Sequence, residues 1–267
     1  MFGVTPMGYI NSPAHMQKFM DRLLEIHKEY AKCFVDDTAV FSDDFESHLK
    51  HIAAVLTSLE QAGMTLSPEK CFVGYHSIDL LGHHVDRFGL STLNKKVEAI
   101  SKLQFPRTLR ELDYFLGLTE WYRHFVARYA ALVDPLQKLK TRLFKTASRK
   151  GRERDSFSRS MKIVNPTILE KITFHEIKFA LCDSKLVIIH PDPKLPLIYH
   201  VDSSAENGFA CAVHQIPQQN MTNLTVDDVL TANYDRKLEK PVLYLSRMLS
   251  RHEHNYWPTE LEIAGIV

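Results

Sequence analysis

The 267 residues, of which 45% are hydrophobic and 24% are charged, have the composition of a globular protein with one or two domains. The chain has no apolar run long enough to span a bilayer and no signal peptide, so we expect an intracellular protein, nuclear or cytoplasmic, without a membrane partner. The formal net charge of +1 conceals a basic segment, residues 138–162, in which ten Lys or Arg outnumber two acidic residues.

The amino-terminal part of the chain predicts a β-hairpin with acidic residues at its tip. Residues 6–17 are rich in turn-forming residues and lead into a helix. Two short apolar runs, residues 32–35 and 38–41, then flank Asp36 and Asp37. Such a tip offers the oxygen ligands that Mg2+ prefers, but aspartate is also common in turns for conformational reasons. The pair alone therefore favours a structural role.

A helix and further strands are predicted after this hairpin. Apolar residues recur at three- and four-residue steps over residues 45–62 and stop at Gly63, which predicts an amphipathic helix. An extended stretch over residues 64–72 and an alternating stretch over residues 77–85 predict strands, and a turn follows at residues 86–89. Together these elements indicate an α+β layer.

Residues 95–139 have the pattern of a small helical subdomain. Thr108 and Glu111 have the spacing of a capping box at a helix start. A stripe of four aromatic residues then follows at near-helical spacing, namely Phe115, Tyr122, Phe125 and Tyr129. Such a stripe is more typical of a core than of a base-stacking surface, so we predict that these rings are buried.

The composition of residues 148–156 predicts a mobile linker. Ser, Gly and Arg dominate this stretch, which can bury little apolar surface, and we therefore place a domain boundary here. The surrounding basic segment, residues 138–162, can also bind a phosphate backbone through counterion release. Composition leaves both interpretations open, a solvated linker and a nucleic-acid contact.

A second domain is predicted after the basic segment. A short helix covers residues 174–181. Alternating stretches over residues 197–202 and 209–214, separated by a turn, predict an antiparallel hairpin, and residues 241–246 predict a third strand. Asp202 lies at the end of the first of these strands.

The cysteines and histidines do not have the spacing of metal sites. The four cysteines are scattered singly among apolar neighbours, which predicts buried reduced thiols. The fourteen histidines include the adjacent pair His83 and His84 on a strand, and His252 and His254 in a polar turn without cysteine partners. We therefore predict that the histidines form no metal set. A glycine-rich phosphate loop is also absent, which argues against an NTPase or a dehydrogenase.

Five short motifs occur in a fixed order along the first half of the chain. They are Pro6-Met7-Gly8-Tyr9-Ile10-Asn11-Ser12-Pro13 with Gln17, Phe34-Val35-Asp36-Asp37, Lys70-Cys71-Phe72, Leu81-Gly82-His83-His84-Val85, and Phe115-Leu116-Gly117-Leu118 with Tyr122-Arg123-His124-Phe125. In this order they resemble the reverse transcriptases of gypsy-class long-terminal-repeat retrotransposons. Five motifs in register make a chance resemblance implausible.

The resemblance implies an α+β fold made of four segments. Residues 1–94 would form part of a polymerase palm, and residues 95–140 the helices of a thumb or connection. Residues 141–165 would be the basic linker, and residues 166–267 the amino-terminal part of a ribonuclease H-like domain with a mixed sheet.

The resemblance also implies a polymerase site. Asp36 and Asp37 would hold Mg2+ or Mn2+ for nucleotidyl transfer by two metal ions, with Asp36 as the principal ligand. Five residues would line the incoming nucleotide and the template, namely Pro6, Met7, Gly8, Gln17 and Phe34. Three residues would resemble the primer grip, namely Leu81, Gly82 and His83.

A second site follows from motifs in the last third of the chain. These motifs are Asp202-Ser203-Ser204, Ser246-Arg247, Asn255-Tyr256 and Thr259-Glu260-Leu261-Glu262, in the order of the ribonuclease H domain that follows these polymerases. The resemblance implies that Asp202 and Glu262 hold Mg2+ for hydrolysis of the RNA strand of a hybrid. Glu262 also follows Thr259 at the spacing of a capping box, and Glu260 is an alternative ligand.

Further carboxylates of both sites are expected outside this chain. In the family, a third polymerase carboxylate precedes Pro6, and later ribonuclease H aspartates follow Val267. We therefore expect the chain alone to be weak or inactive as a polymerase, and to act within a longer chain on an RNA/DNA template-primer and dNTP, associated with other polyprotein segments. The alternative is a non-catalytic retroelement remnant that binds nucleic acid through its basic segment.

Overall fold

The computed structural model describes residues 8–145, 151–182, 186–221 and 224–266. The chain forms two compact units, one that ends at His76 and one that begins at Ser77. Both combine helices with antiparallel strands, which confirms the predicted α+β class. No helix in the described ranges is both long and apolar enough to cross a membrane.

The first unit is a hairpin packed against two helices. Its elements are α1 (Ser12–Leu23), β1 (Ala31–Phe34), β2 (Asp37–Val40) and α2 (Phe45–Gln61). The predicted hairpin and the predicted helix over residues 45–62 are thus confirmed. Asp44 begins α2 by accepting a hydrogen bond from the Ser47 amide at 2.9 Å. The buried core consists of Met20, Leu24, Ala31, Val55 and Leu59.

The strand predicted over residues 64–72 is wrong. This stretch contains a short 3₁₀ turn, Pro68–Lys70, and otherwise irregular backbone. Pro68 has no backbone N–H to donate to a neighbouring strand, which disfavours a place inside a sheet. Cys71, predicted to be buried, is exposed here, although all four cysteines are free thiols as predicted.

The second unit joins a small sheet, a helical layer and a three-stranded sheet. In chain order its elements are β3 (Ser77–Leu80), β4 (His83–Asp86), β5 (Gly89–Thr92), α3 (Asn94–Lys102), α4 (Leu109–Glu120), α5 (Tyr129–Phe144), α6 (Gly151–Ser160), α7 (Ile168–Cys182), β6 (Val187–Ile188), β7 (Ile198–Ser204), β8 (Gly208–Gln215), α8 (Val226–Leu230), β9 (Lys240–Arg247) and α9 (Pro258–Ile266). The strands predicted over residues 197–202, 209–214 and 241–246 are confirmed as β7, β8 and β9.

The helical layer is built around the predicted aromatic stripe, all four rings of which are buried as predicted. Thr108 begins α4 and accepts a hydrogen bond from the Glu111 amide at 3.2 Å, so the predicted cap is confirmed. Phe174 of α7 packs on Phe115, with ring centroids 4.6 Å apart. Helix α7 therefore belongs to the same core as α4 and α5, although residues 140 and 166 were predicted to lie in different domains.

The mobile linker predicted over residues 148–156 is wrong from residue 151 onward, and residues 148–150 lie outside the described ranges. Residues 151–160 form α6, where Asp155 and Arg159 are paired one turn apart at 2.6 Å. Phe157 packs against the helical core, and the backbone after α6 bridges to Thr108. One apolar anchor and helical charge pairing thus order a segment whose composition is polar.

The three-stranded sheet has the order β7-β8-β9 and is antiparallel throughout. Helix α9 packs on β7 and brings Gly265 close to it. A methyl group on Gly265 would lie 2.3 Å from Ser203 Oγ and 3.1 Å from a Val201 methyl group. Ser203 Oγ is buried and has no hydrogen-bond partner among the described residues. The glycine is therefore required for the close approach of α9 to β7.

We predict that Gly265→Ala lowers the free energy of unfolding by about 1–3 kcal/mol, because the added methyl group overpacks the contact between α9 and β7. Ser203→Ala alone should be neutral or slightly stabilising, since it removes an unpartnered buried hydroxyl. Combining the two changes should recover part of the loss. Chemical denaturation measures each value.

Gly117→Ala is the matched control, because Gly117 lies inside α4 with open space around the position of its missing methyl group. That change should stabilise the protein by about 0.5–1 kcal/mol, since alanine favours a helix over glycine. Equal effects of the two glycine substitutions would contradict the close approach at Gly265.

Candidate functional site

The tip of the first hairpin is a two-residue turn made of Val35 and Asp36. Phe34 and Asp37 pair across the strands on either side of it. Val35 has a positive φ of 57° while Asp36 does not, which is the pattern of a type II′ turn, where glycine is usual at the first position. The side chains of Asp36 and Asp37 are exposed. The tip therefore presents two adjacent carboxylates to solvent on a strained backbone.

Gln17 of α1 holds this turn in place. Its side-chain oxygen accepts a hydrogen bond from the Val35 amide at 2.7 Å, and its Nε2 donates to the Cys33 carbonyl at 3.0 Å. The same nitrogen donates to Asp21 at 2.8 Å. The side-chain amide of Gln17 is thus hydrogen-bonded to the hairpin. In the fold, Gln17 positions the tip that carries the two carboxylates.

The other residues predicted to line the nucleotide differ in what the structure shows of them. Pro6 and Met7 lie outside the described residues. Gly8 has a φ of 82° and open space around the position of its missing side chain. Phe34, next to the carboxylates, exposes 58% of its surface. An aromatic ring is therefore exposed to solvent beside the acidic tip.

The residues predicted to resemble a primer grip form a second two-residue tip, in the second unit. Leu81 and Gly82 connect β3 and β4, and both have positive φ values, 48° and 80°, as in a type I′ turn. The Tyr122 hydroxyl donates to the Gly82 carbonyl at 3.1 Å. The side chain of Leu81 is exposed. This tip is thus fixed to the helical layer and presents an apolar side chain to solvent.

The ring of His83 is part of the aromatic packing beneath this tip. It lies nearly parallel to the rings of Trp121 and Phe125, with centroids 5.9 Å and 5.5 Å away. Burial lowers the pKa of His83, against the effect of the hydrogen bond to the Leu81 carbonyl. The imidazole is therefore neutral at neutral pH and serves as a packing ring.

Asp202 lies on β7 and forms an ion pair with Arg128, at 2.5 Å. Arg128 has a left-handed backbone, φ 52°, directly before α5. The backbone around it is fixed to the edge of β9, because the Ala130 amide donates to Ser246 Oγ at 2.9 Å and the guanidinium of Arg123 donates to the Ser246 carbonyl. The sequence suggested Arg128 only as a candidate phosphate contact and not as a partner of Asp202, since no spacing in the chain connects the two residues.

The structure separates the two candidate glutamates on α9. The helix begins at Pro258, and Glu260 accepts a hydrogen bond from the Trp257 amide at 2.8 Å. The capping box considered for Thr259 and Glu262 is therefore wrong, because Glu260 has the capping role. Glu262 is exposed and has no hydrogen bond or ion pair within the described ranges.

Arg247, in the predicted Ser-Arg motif, has a structural partner. Its guanidinium donates two hydrogen bonds to Glu253, at 2.7 Å and 2.8 Å, and lies over the ring of Phe209. These hydrogen bonds, with a further one from the Ser250 amide, lower the pKa of Glu253 to about 2. This pair orders the turn between β9 and α9.

Most described cations of the basic segment, residues 138–162, have partners inside the protein. Four of them form ion pairs, Lys138 with Asp134, Lys140 with Asp113, Arg142 with Glu170 and Arg159 with Asp155. Arg154 lies over the ring of Phe144. Four of the ten cations of this segment are therefore paired within the fold, and both interpretations of the segment, a solvated stretch and a nucleic-acid contact, stay predictions.

Two family models match this chain. Residues 2–85 match the reverse transcriptase (RNA-dependent DNA polymerase) family, and residues 192–267 match the RNase H-like domain found in reverse transcriptase. The first match contains both hairpin tips, and the second contains Asp202 and Glu262. The chain therefore carries segments of both families.

The similar curated proteins are polyproteins of retrotransposons. The Pol polyprotein from transposon opus of Drosophila melanogaster is 31% identical over 98% of this chain, and that from transposon gypsy is 27% identical. The chain spans about a quarter of the length of these relatives, 24% and 22%. Over almost its whole length the chain is therefore similar to the reverse transcriptase and ribonuclease H region of retrotransposon Pol polyproteins.

Solved structures show the same fold. The foamy viral protease-reverse transcriptase in complex with an RNA/DNA hybrid has a TM-score of 0.72 at 22% identity, and covers 98% of this chain with 30% of its own length. The same viral enzyme in complex with double-stranded DNA has a TM-score of 0.68 at 23% identity, over 96% of this chain and 45% of its own.

We predict that Gln17→Ala loosens the acidic tip. The change removes the acceptor of the Val35 amide and the donor to the Cys33 carbonyl, and should lower the free energy of unfolding by about 1–2 kcal/mol. Hydrogen exchange at the Val35 amide should accelerate. Gln61→Ala, at the exposed end of α2, is the control and should change neither quantity. Unaltered exchange at Val35 in Gln17→Ala would refute the positioning role.

Proposed function

We propose that this chain works within a retrotransposon Pol polyprotein that copies RNA into DNA and hydrolyses the RNA strand of the resulting hybrid. The observation that carries the proposal is the pair of exposed carboxylates, Asp36 and Asp37, on a turn held by Gln17. The order of the reverse transcriptase and ribonuclease H-like segments, the same as in the relatives, supports it.

Asp36 and Asp37 fit a hard divalent cation. Their oxygens are exposed and adjacent, and neither side chain pairs with a cation within the described ranges, so both remain available as ligands. When bound, Mg2+ or Mn2+ supplies activation of a primer 3′-hydroxyl and stabilisation of the leaving pyrophosphate. Gln17 keeps the two carboxylates on a defined backbone, and the exposed ring of Phe34 offers a stacking surface for the incoming nucleotide.

We also propose a template-primer duplex and dNTP as the substrates of the parent polyprotein. Foamy viral enzymes with this fold are solved with an RNA/DNA hybrid and with double-stranded DNA. In this chain, the exposed Leu81 on its two-residue turn is a suitable contact for the primer end, and the His83 ring is hydrogen-bonded to the Leu81 carbonyl at 3.1 Å. These are the primer-grip roles that the resemblance implies for Leu81, Gly82 and His83.

For the ribonuclease H activity, we propose Asp202 and Glu262 as divalent-metal ligands. Glu260 is occupied by the helix cap, which favours Glu262 over it. Asp202 is half exposed and paired with Arg128, so a cation that binds Asp202 competes with the guanidinium. Arg128 thereby holds the carboxylate in place while lowering its apparent affinity for metal.

Residues 1–267 alone should be a weak polymerase. No third Asp, Glu, His or Cys ligand joins Asp36 and Asp37 in the described part of the chain. Two neighbouring groups on one tip leave most positions around an octahedral cation to water, and such a cation is poorly fixed. Activity should therefore appear only in the longer polyprotein.

The proposal is tested in that polyprotein with single Asp→Asn changes. Asp36→Asn should lower dNTP incorporation on an RNA template by more than about a hundredfold, because loss of a direct metal ligand costs at least as much as loss of its outer partners. It should leave cleavage of the hybrid's RNA strand intact, and Asp202→Asn should have the opposite effects. The control is Asp43→Asn, an exposed carboxylate near the same hairpin. An active Asp36→Asn polymerase would refute the assignment.

We predict that Arg128→Gln raises the affinity of Mn2+ at Asp202 by roughly two- to fivefold, the range expected from losing one exposed ion pair. Electron paramagnetic resonance of the 267-residue chain measures the bound Mn2+. Arg159→Gln, which breaks an exposed ion pair on α6, should leave the affinity unchanged. A lower affinity in Arg128→Gln would mean that Arg128 assists the metal site and does not compete with it.

A further inference from the structure

We propose that His200, His214 and Glu239 form a binding site for Zn2+ or a similar borderline divalent cation in the sheet of the second unit. The side chains come from β7, from β8 and from the residue before β9. Their ligand atoms all lie within 4.8 Å of one another. The proposal departs from the sequence prediction that the histidines form no metal set, since sheet pairing joins residues that are distant in the chain.

The distances between the ligand atoms suit a tetrahedral cation. His200 Nε2 lies 2.6 Å from Glu239 Oε2, and His214 lies 3.7 Å from the same oxygen through its Nδ1. Ligand atoms about 2.0–2.1 Å from Zn2+ at a tetrahedral angle are about 3.3 Å apart, and the two observed distances bracket this value. With all three ligand atoms within 4.8 Å of one another, we infer that side-chain rotations bring them to one cation.

Two of these groups are withdrawn from solvent, and one of the two lacks a hydrogen-bond partner. His214 Nδ1 is buried and has no hydrogen-bond partner among the described residues. The side chain of Glu239 is only 6% exposed, and its partners are the His200 imidazole and the Tyr234 hydroxyl, which donates to Oε1 at 3.0 Å. A buried ring nitrogen without a partner is costly, and a cation between His214 and Glu239 would satisfy the nitrogen and pair with the charge of the buried carboxylate.

The chemistry of the ligands selects the class of metal. Two imidazole nitrogens and one carboxylate oxygen are a set that Zn2+ accepts with a fourth position open, whereas Mg2+ prefers oxygen ligands alone. Burial lowers the pKa of His214, although the Glu239 carboxylate opposes this effect, so the imidazole is neutral and can bind a metal at neutral pH. In the metal-free form His200 donates its Nε2 proton to Glu239, and binding of a metal through Nε2 moves the proton of the neutral ring to Nδ1.

Such a site would link all three strands of the sheet. His200 lies two residues before Asp202, on the same face of β7, because side chains alternate along a strand. A bound cation would therefore fix the strand that carries Asp202 without occupying Asp202 itself. The site differs in its ligands and in its metal preference from the oxygen-only sites proposed for catalysis.

Binding is measured on the metal-free 267-residue chain by titration with Zn2+ against a chromophoric chelator. Wild type should bind one Zn2+, and His214→Gln and Glu239→Gln should each raise its Kd at least tenfold. His254→Gln, an exposed histidine, and Asp202→Asn should leave the Kd unchanged, and excess Mg2+ should not displace the Zn2+. Equal affinity in wild type and His214→Gln, or loss of binding in Asp202→Asn, would overturn the proposal.

A second measurement on wild type keeps the test valid if a variant fails to fold. The chain loaded with Co2+ should show the strong visible absorption of a tetrahedral site with nitrogen and oxygen ligands. Thermal unfolding should shift to higher temperature with Zn2+ and not with Mg2+. A weak octahedral spectrum, or a thiolate charge-transfer band from one of the free cysteines, would overturn the assignment.

Discussion

A two-residue hairpin turn needs left-handed backbone, and both candidate tips of this chain depend on how that requirement is met. Val35 and Leu81 adopt positive φ although neither is glycine. In each unit a side chain from the neighbouring helical region binds the turn, Gln17 in the first and Tyr122 in the second. Hydrogen bonds to the turn backbone offset the strain and give each tip one orientation. Groups at such tips are thereby exposed and rigid at once, which suits binding.

Contacts between distant parts of the second unit place the charges around the candidate ribonuclease H site. The segment between α4 and α5 is fixed to the edge of β9 through Ser246, and this contact places Arg128 next to Asp202. The backbone contacts lie at a covered edge, while the ion pair lies in solvent, where one such pair stabilises little. The pair is therefore better understood as control over the carboxylate than as a source of stability.

The cluster of His200, His214 and Glu239 differs from the Arg128–Asp202 pair, because its polar groups are withdrawn from solvent. A buried carboxylate and an unpaired ring nitrogen in one place are unfavourable for folding alone. Groups whose burial lowers the stability of the fold commonly have a function. A bound cation is the simplest partner that would satisfy the polar groups of this cluster.

The sequence by itself determined the elements with strong local signals. The helical spacing of apolar residues predicted α2 and the buried aromatic stripe, and the alternation of apolar and polar residues predicted β7, β8 and β9. The motifs in their fixed order indicated the family. It failed at residues 64–72, where alternation is weak, and at α6, whose polar composition conceals one apolar anchor, Phe157. Only the tertiary structure decided that Gln17 holds the acidic turn, that Glu260 caps α9, that Arg128 meets Asp202, and that three strands bring two histidines to Glu239. Apart from the local cap at Glu260, these are contacts between distant residues, and local patterns carry no information about which side chains the folded backbone brings together.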